Sequence, residues 1–133
     1  MDTPAVLIVE GQRFLAELLQ RALERPEREV FVASDAPQAR DLAALIGDRL
    51  AVVVTETALP SERGDVLARG LVGDRDDVRV ILLSADPGKE AEPPPGRAGR
   101  FLVIGKPFNV WRVQRLVADC LLHPRGAVAR LAP

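Results

Sequence analysis

Continuous aliphatic runs alternate along this chain with segments whose apolar residues recur every three or four positions. The runs are Val6-Leu7-Ile8-Val9, Ala51-Val52-Val53-Val54, Val80-Ile81-Leu82-Leu83 and Phe101-Leu102-Val103-Ile104. Short runs rich in β-branched residues read as strands buried on both faces, as parallel strands between two helix layers are. The predicted strands are Ala5 to Val9, Glu29 to Ala33, Leu50 to Thr55, Arg79 to Leu83 and Phe101 to Ile104. Between the first two, Phe14, Leu15, Leu18, Leu19, Ala22 and Leu23 form one face of a helix that Pro26 ends. Asp35 reads as the N-cap of a second helix, with Gln38 as its capping-box partner. That helix carries the stripe Ala39, Leu42, Ala43 and Ile46 and stops at Gly47. A short third helix runs from about Asp65 to Val72 and closes at Gly73. The final helix starts from an Asn109 cap, buries Val110, Val113, Leu116, Val117 and Cys120, and stops at His123-Pro124.

Strands alternating with helices imply right-handed crossovers and an α/β fold. The expected architecture is a flavodoxin-like three-layer sandwich around a parallel five-stranded sheet of order 2-1-3-4-5. One segment breaks the alternation. Asp86 to Arg100 contains Pro87, Pro93, Pro94 and Pro95, three glycines and almost no apolar stripe. Proline costs roughly 3 kcal/mol in a helix interior, so the helix due here, the fourth, is expected to be missing or stunted. The domain is expected to span 1–124, followed by a loose C-terminal tail, 125–133.

Size and charge narrow the function classes. A chain of 133 residues is one domain and can bury a sufficient core without metals or disulfides. A formal net charge of −1 gives no basic excess for nucleic acid. No apolar run approaches the roughly 20 residues of a membrane helix, and the N-terminus lacks a signal-peptide pattern. The lone Cys120 excludes an internal disulfide and suits a reducing cytoplasm.

Candidate chemistry lies at the strand ends, where open parallel sheets place it. The first strand runs into Glu10, the third into Glu56, the fourth into Ser84, and the fifth is followed by Gly105-Lys106-Pro107-Phe108. Glu56 stands four residues before Pro60 and eight before Gly64. This order of acid, acid, hydroxyl and lysine resembles the receiver domain of bacterial response regulators. Ser84-Ala85 sits where that family has a Thr/Ser-Ala pair, and Lys106-Pro107-Phe108 matches its Lys-Pro-Phe with a cis peptide before proline. The resemblance covers nearly the whole chain.

The resemblance implies that Glu56 occupies the position of the aspartate that accepts a phosphoryl group. It implies that Ser84 and Lys106 stand where the phosphoryl oxygens would be contacted. A pair of acids after the first strand would hold Mg²⁺, with the acceptor carboxylate and the carbonyl of Ala58. Here the acidic pocket is Glu10 with Gly11, and Gly11 falls at the direct metal ligand. Mg²⁺ demands near-octahedral oxygen ligands, so its binding is expected to be weak or absent, with no other metal or cofactor. Glu56 reaches roughly 1.5 Å further than an aspartate, and a misplacement of about 1 Å can cost about a hundredfold in rate. The longer carboxylate is able to reach Lys106 or Ser84 instead. The family's switch aromatic, three residues before the lysine, is Val103 here, stiff at χ1.

Three states of the site stay open on these residues: a built-in imitation of the phosphorylated form, an inert ion pair, or residual phosphorylation. The leading functional expectation is a stand-alone, atypical receiver, not an enzyme. It would bind another signalling protein or a second copy of itself, with no nucleic acid and no membrane. The alternatives are a working phosphorelay receiver with an unusual site and, remotely, a small flavin- or nucleotide-binding enzyme. The last would need a phosphate cradle after the first strand, and Glu10-Gly11-Gln12-Arg13-Phe14 offers none. Trp111 lies off the buried stripe and either covers the core edge or anchors a partner. Cys120 reads as core, and His123 as a helix end with no metal role.

Overall fold

The computed structural model describes residues 3–86 and 100–123. In chain order the elements are β1 (Ala5–Val9), α1 (Arg13–Leu23), β2 (Glu29–Ala33), α2 (Ala36–Ile46), β3 (Leu50–Glu56), α3 (Gly64–Val72), β4 (Arg79–Ser84), β5 (Phe101–Gly105) and α4 (Val110–Leu122). A 3-10 turn, Gly47–Arg49, joins α2 to β3. All five strands are parallel, in the order β2-β1-β3-β4-β5. The α/β flavodoxin-like class and the expected strand order are therefore observed.

The two-residue repeat of the strands divides the core into two layers. Val6, Ile8, Val52, Val54, Ile81, Leu83 and Ile104 meet Leu19 and Leu23 of α1 and Val113, Leu116, Val117 and Cys120 of α4. Leu7, Val9, Val53, Val80, Leu82 and Phe101 meet Ala36, Ala39 and Ile46 of α2 and Leu67, Ala68 and Val72 of α3. Each core residue removes apolar area worth roughly 25 cal/mol per Å². The aliphatic runs are buried on both sheet faces for this reason. Gly47 (φ 63°) and Gly73 (φ 53°) take a positive φ, readily open only to glycine, where α2 and α3 end.

Several expectations need adjustment. Phe14 and Leu18 do not join the buried face of α1; Phe14 is 75 % exposed and Leu18 also faces solvent. The inward seam is Ala16, Leu19 and Leu23. Six apolar residues wrap too far round an eleven-residue helix for all of them to reach the sheet. Asp35 caps α2 by accepting the Gln38 N–H at 2.9 Å, but the Gln38 side chain accepts from the Ser34 N–H at 2.7 Å. The reciprocal bond of a capping box is thus made one residue upstream. Val110 is only half-buried, while β3 extends one residue to include Glu56. Of the segment Asp86 to Arg100, expected to lack the fourth helix, residues 87–99 lie outside the described residues, and so does the tail 125–133.

The return from β3 to α3 depends on a glycine for a steric reason. A Cβ on Gly64 would overlap the Glu56 carbonyl oxygen and come within 3.0 Å of Thr55 Oγ1. The Gly64 N–H donates to Thr57 O at 2.9 Å, folding the loop back onto the strand end. Gly70, within α3, has nothing within 4 Å of its added Cβ. Gly64→Ala should destabilise the fold by about 1–3 kcal/mol through overpacking. Gly70→Ala should stabilise it by roughly 0.5–1 kcal/mol through helix propensity. Urea unfolding of the two variants checks the contrast.

Candidate functional site

Three strand ends converge at the carboxyl edge of the sheet. The residue after β1 is Glu10, the last residue of β3 is Glu56, and Lys106 follows β5. Glu10 is pinned by its backbone, which donates to Ala33 O at 3.0 Å at the end of neighbouring β2. Glu56 lies opposite Leu83 in the β3–β4 register, and the next residue, Thr57, donates its N–H to Leu83 O at 3.1 Å. Lys106 is drawn in by its own N–H, which donates to Ser84 O at 2.6 Å, and the Lys106–Pro107 peptide is cis.

The side chains close into an ion cluster. Lys106 Nζ donates to Glu56 Oε1 at 2.9 Å and to Glu10 Oε1 at 3.3 Å. Glu10 Oε2 accepts the Gln12 N–H at 3.1 Å. Glu10 is buried, whereas the side chains of Glu56 and Lys106 retain 16 % and 18 % exposure. One ammonium therefore serves two carboxylates, across sequence separations of 50 and 96 residues.

The two glutamates titrate in opposite directions. Burial pushes the Glu10 carboxyl above its ordinary value, and a hydrogen bond shared with Glu56 adds to this; the Gln12 N–H and Lys106 only partly offset it. Burial also pushes Glu56 upward, but its hydrogen bonds with Glu10 and Lys106 and the lysine charge outweigh that and hold it below the ordinary value. Of the two, Glu10 is therefore the carboxyl that keeps its proton to higher pH. For Lys106, burial favours the neutral amine, but bonds to Glu56 and the charges of both glutamates prevail and raise it. Like charges placed together separate their titrations in this way.

The other predicted site residues lie as follows. Ser84 is buried at the end of β4, and its hydroxyl accepts the Asp86 N–H at 3.0 Å, capping the turn. Gly11 is exposed, and a Cβ there would lie 3.5 Å from Ser34 O, an ordinary contact. Ala58 is bridged to Arg63 across the β3–α3 loop. Val103 is half-buried and packs against the core layer of α2 and α3. Trp111, in the first turn of α4, is 74 % exposed and does not cover the core. Sequence reasoning reached the Glu56–Lys106 contact but missed Glu10 as the second partner of the lysine. The cue was Gly11: without a neighbouring acid and its cation, Glu10 needs a positive charge from elsewhere. Among the described residues, no group of three His, Cys, Asp or Glu side chains is placed to hold a metal ion. No helix among them is long and apolar enough to cross a membrane.

Comparison with known proteins bears on the fold. No protein-family model matches this chain, and no curated protein does. Solved structures do. The signal receiver domain of an HD domain-containing protein from Pseudomonas fluorescens aligns with a TM-score of 0.73 and 22% identity, over 92% of this chain and 98% of that one. A response regulator receiver domain protein from Clostridium thermocellum aligns with a TM-score of 0.75 and 17% identity, over 90% and 95%. A response regulator of Thermotoga maritima in complex with Mg²⁺-BeF aligns with a TM-score of 0.69 and 20% identity, over 88% and 98%. The chain has the receiver-domain fold.

Removing the lysine should uncover the electrostatics of the cluster. Glu56, held low, contributes stability above its unfolded pKa that is lost as pH falls through its folded value. Glu10, held high, contributes stability at acid pH that is lost as pH rises through its folded value. Lys106→Met removes the cation that lowers both. The variant should lose roughly 3 kcal/mol near pH 7, as a broken buried pair does. It should lose much less near pH 4, below the raised Glu10 value, where protonation of Glu10 removes most of the repulsion that the lysine otherwise offsets. Urea unfolding of both proteins at the two pH values checks the sign.

Proposed function

We propose that this domain is an atypical receiver of two-component signal transduction. It signals by contact with other proteins and is not switched by phosphorylation of an aspartate. The observation that carries this reading is the Lys106 ammonium held by Glu56 at 2.9 Å and by Glu10 at 3.3 Å. Phosphoryl transfer to a carboxylate needs an oxygen free to attack, a divalent cation and a free cationic group for the developing charge. Here the acceptor-position oxygen and the lysine neutralise each other. Glu56 is a standing partner for the lysine, in the role that a phosphoryl oxygen would otherwise fill.

The donor set also argues against Mg²⁺. The two carboxylates already share one ammonium, and Gly11 supplies no oxygen ligand. Mg²⁺ binds through oxygens in strict geometry and gives up water reluctantly. It would have to displace Lys106 to reach either glutamate. The site then works as a fixed ionic clasp tying the ends of β1, β3 and β5. Protein contact in a cytoplasmic signalling pathway is the output that remains for a scaffold of this kind. The titratable cluster is not catalytic; structural ion pairs perturb pKa values as active sites do.

Incubation with acetyl phosphate and Mg²⁺ should leave the intact mass of the protein unchanged. A stable adduct, lost on Glu56→Ala, would sink the reading. The missing chemistry should return when both lesions are repaired together. Gly11→Asp has room, given the 3.5 Å clearance to Ser34 O, and Glu56→Asp withdraws the nucleophile by one methylene. Each change alone should do little, because metal and nucleophile act as a unit. The double variant should bind Mg²⁺ by calorimetry and accept phosphate slowly. A folded double variant that binds no Mg²⁺ would show that the pocket differs from a receiver site in more than these two residues.

A further inference from the structure

Helix α4 has a second face. Its inward seam is Val113, Leu116, Val117 and Cys120. On the opposite side, at about 100° per residue, lie Trp111, Arg115, Ala118 and Leu122. Trp111 is 74 % and Leu122 72 % exposed, two of the six exposed large hydrophobic residues among those described. Two more, Phe14 and Leu18, stand on α1, which packs beside α4 on the same sheet face. The outer surface of this one helix layer thus holds four of the six.

The spacing of the outward stripe is 4, 3, 4 residues, the interval of a coiled-coil seam. It is also palindromic. A two-fold axis lying between two antiparallel copies of α4, level with the Leu116–Val117 junction, sets Trp111 opposite Leu122 of the second copy, and Arg115 opposite its Ala118. A large ring meets a branched side chain at each end. At the centre a long stem lies over a small residue, which lets the helices approach closely. Asp119 neighbours Ala118 on the flank to which Arg115 leans, so the guanidinium reaches the carboxylate of the other copy. Among the described residues, neither Arg115 nor Asp119 makes an ion pair within its own chain. One cation and one anion per copy, exchanged by the axis, give two identical intermolecular pairs.

We propose that the outward face of α4 is an isologous interface that joins two copies of this chain in antiparallel register, with Phe14 and Leu18 widening its apolar area. The charge complementarity selects a second copy over an unrelated helix, because the stripe carries both members of its own ion pair. C2 pairing of one patch with itself is the commonest form of soluble oligomer. This names the partner in the protein-contact reading above, but it rests on α4 and not on the ion cluster. A phosphodonor adduct would remove that reading and leave the dimer standing. A monomeric protein would do the reverse.

Sedimentation velocity of the full chain over a range of concentrations tests it. The wild type should dimerise. Arg115→Glu sets acid against acid and should give a monomer; Asp119→Arg sets base against base and should do the same. The double variant Arg115→Glu/Asp119→Arg restores both pairs and should dimerise again. Trp111→Ala, a change at an exposed position that leaves the core intact, should weaken the dimer about tenfold or more. Circular dichroism checks that each variant keeps its helices. A wild type monomeric throughout, a dimer indifferent to Arg115→Glu, or a charge swap that fails to restore pairing would each overturn the proposal.

Discussion

A single ammonium between two carboxylates ties three strand ends of this structure together. Lys106 donates to Glu56 and Glu10 at the edge where three strands end. The three residues reach one another only because β1, β3 and β5 run parallel, so that all their carboxyl ends open on one side. The cluster is costly to desolvate and gains by mutual attraction. The fold buries Glu10 and leaves only 16 % of the Glu56 and 18 % of the Lys106 side chain in contact with water, so the attraction is greater than on an open surface. Burial raises Glu10, while hydrogen bonds with Glu10 and Lys106 hold Glu56 low, so the two carboxyls lose their protons in separate pH ranges.

That balance depends on what surrounds it. Gly64 lets the β3–α3 loop close onto the Glu56 carbonyl, where any side chain would collide. The Lys106 N–H bond to Ser84 O fixes the lysine backbone beside β4. The two hydrophobic layers hold the strands in register, and a slip by one residue would turn every strand-end group to the other face. At the opposite edge, Arg79 is fully buried and donates to the carbonyl of His123, holding the last turn of α4 against the start of β4. The Arg79 charge also lies near Cys120, yet burial still dominates that thiol and pushes it up to about 12. Cys120 is therefore inert packing.

The fold was highly legible because the strands are buried on both faces. Continuous aliphatic runs leave few other readings, and the glycines at 47 and 73 mark helix ends by a conformation other residues avoid. The helix faces were less legible. Phe14 and Leu18 look like core by spacing alone, yet α1 buries only Ala16, Leu19 and Leu23 among its fully covered residues. The α4 pattern hid its outer stripe in the same way, since Arg115 and Ala118 interrupt an apolar line that the interval of four and three residues reveals. At the site, the identity of each strand-end group was readable. The sharing of Lys106 was not, because it depends on side-chain reach across 96 residues of sequence.

Carbon-detected NMR of the Glu10 and Glu56 carboxyl groups through a pH titration, without and with Mg²⁺, addresses the ionic clasp most directly. If Lys106 is their standing cation, Glu56 titrates below and Glu10 above the ordinary carboxylate value, and millimolar Mg²⁺ leaves both curves unchanged. Two glutamates that titrate together at the ordinary value, or curves that Mg²⁺ shifts strongly downward, would mean that the carboxylates are free to take a metal and that the clasp does not define this site.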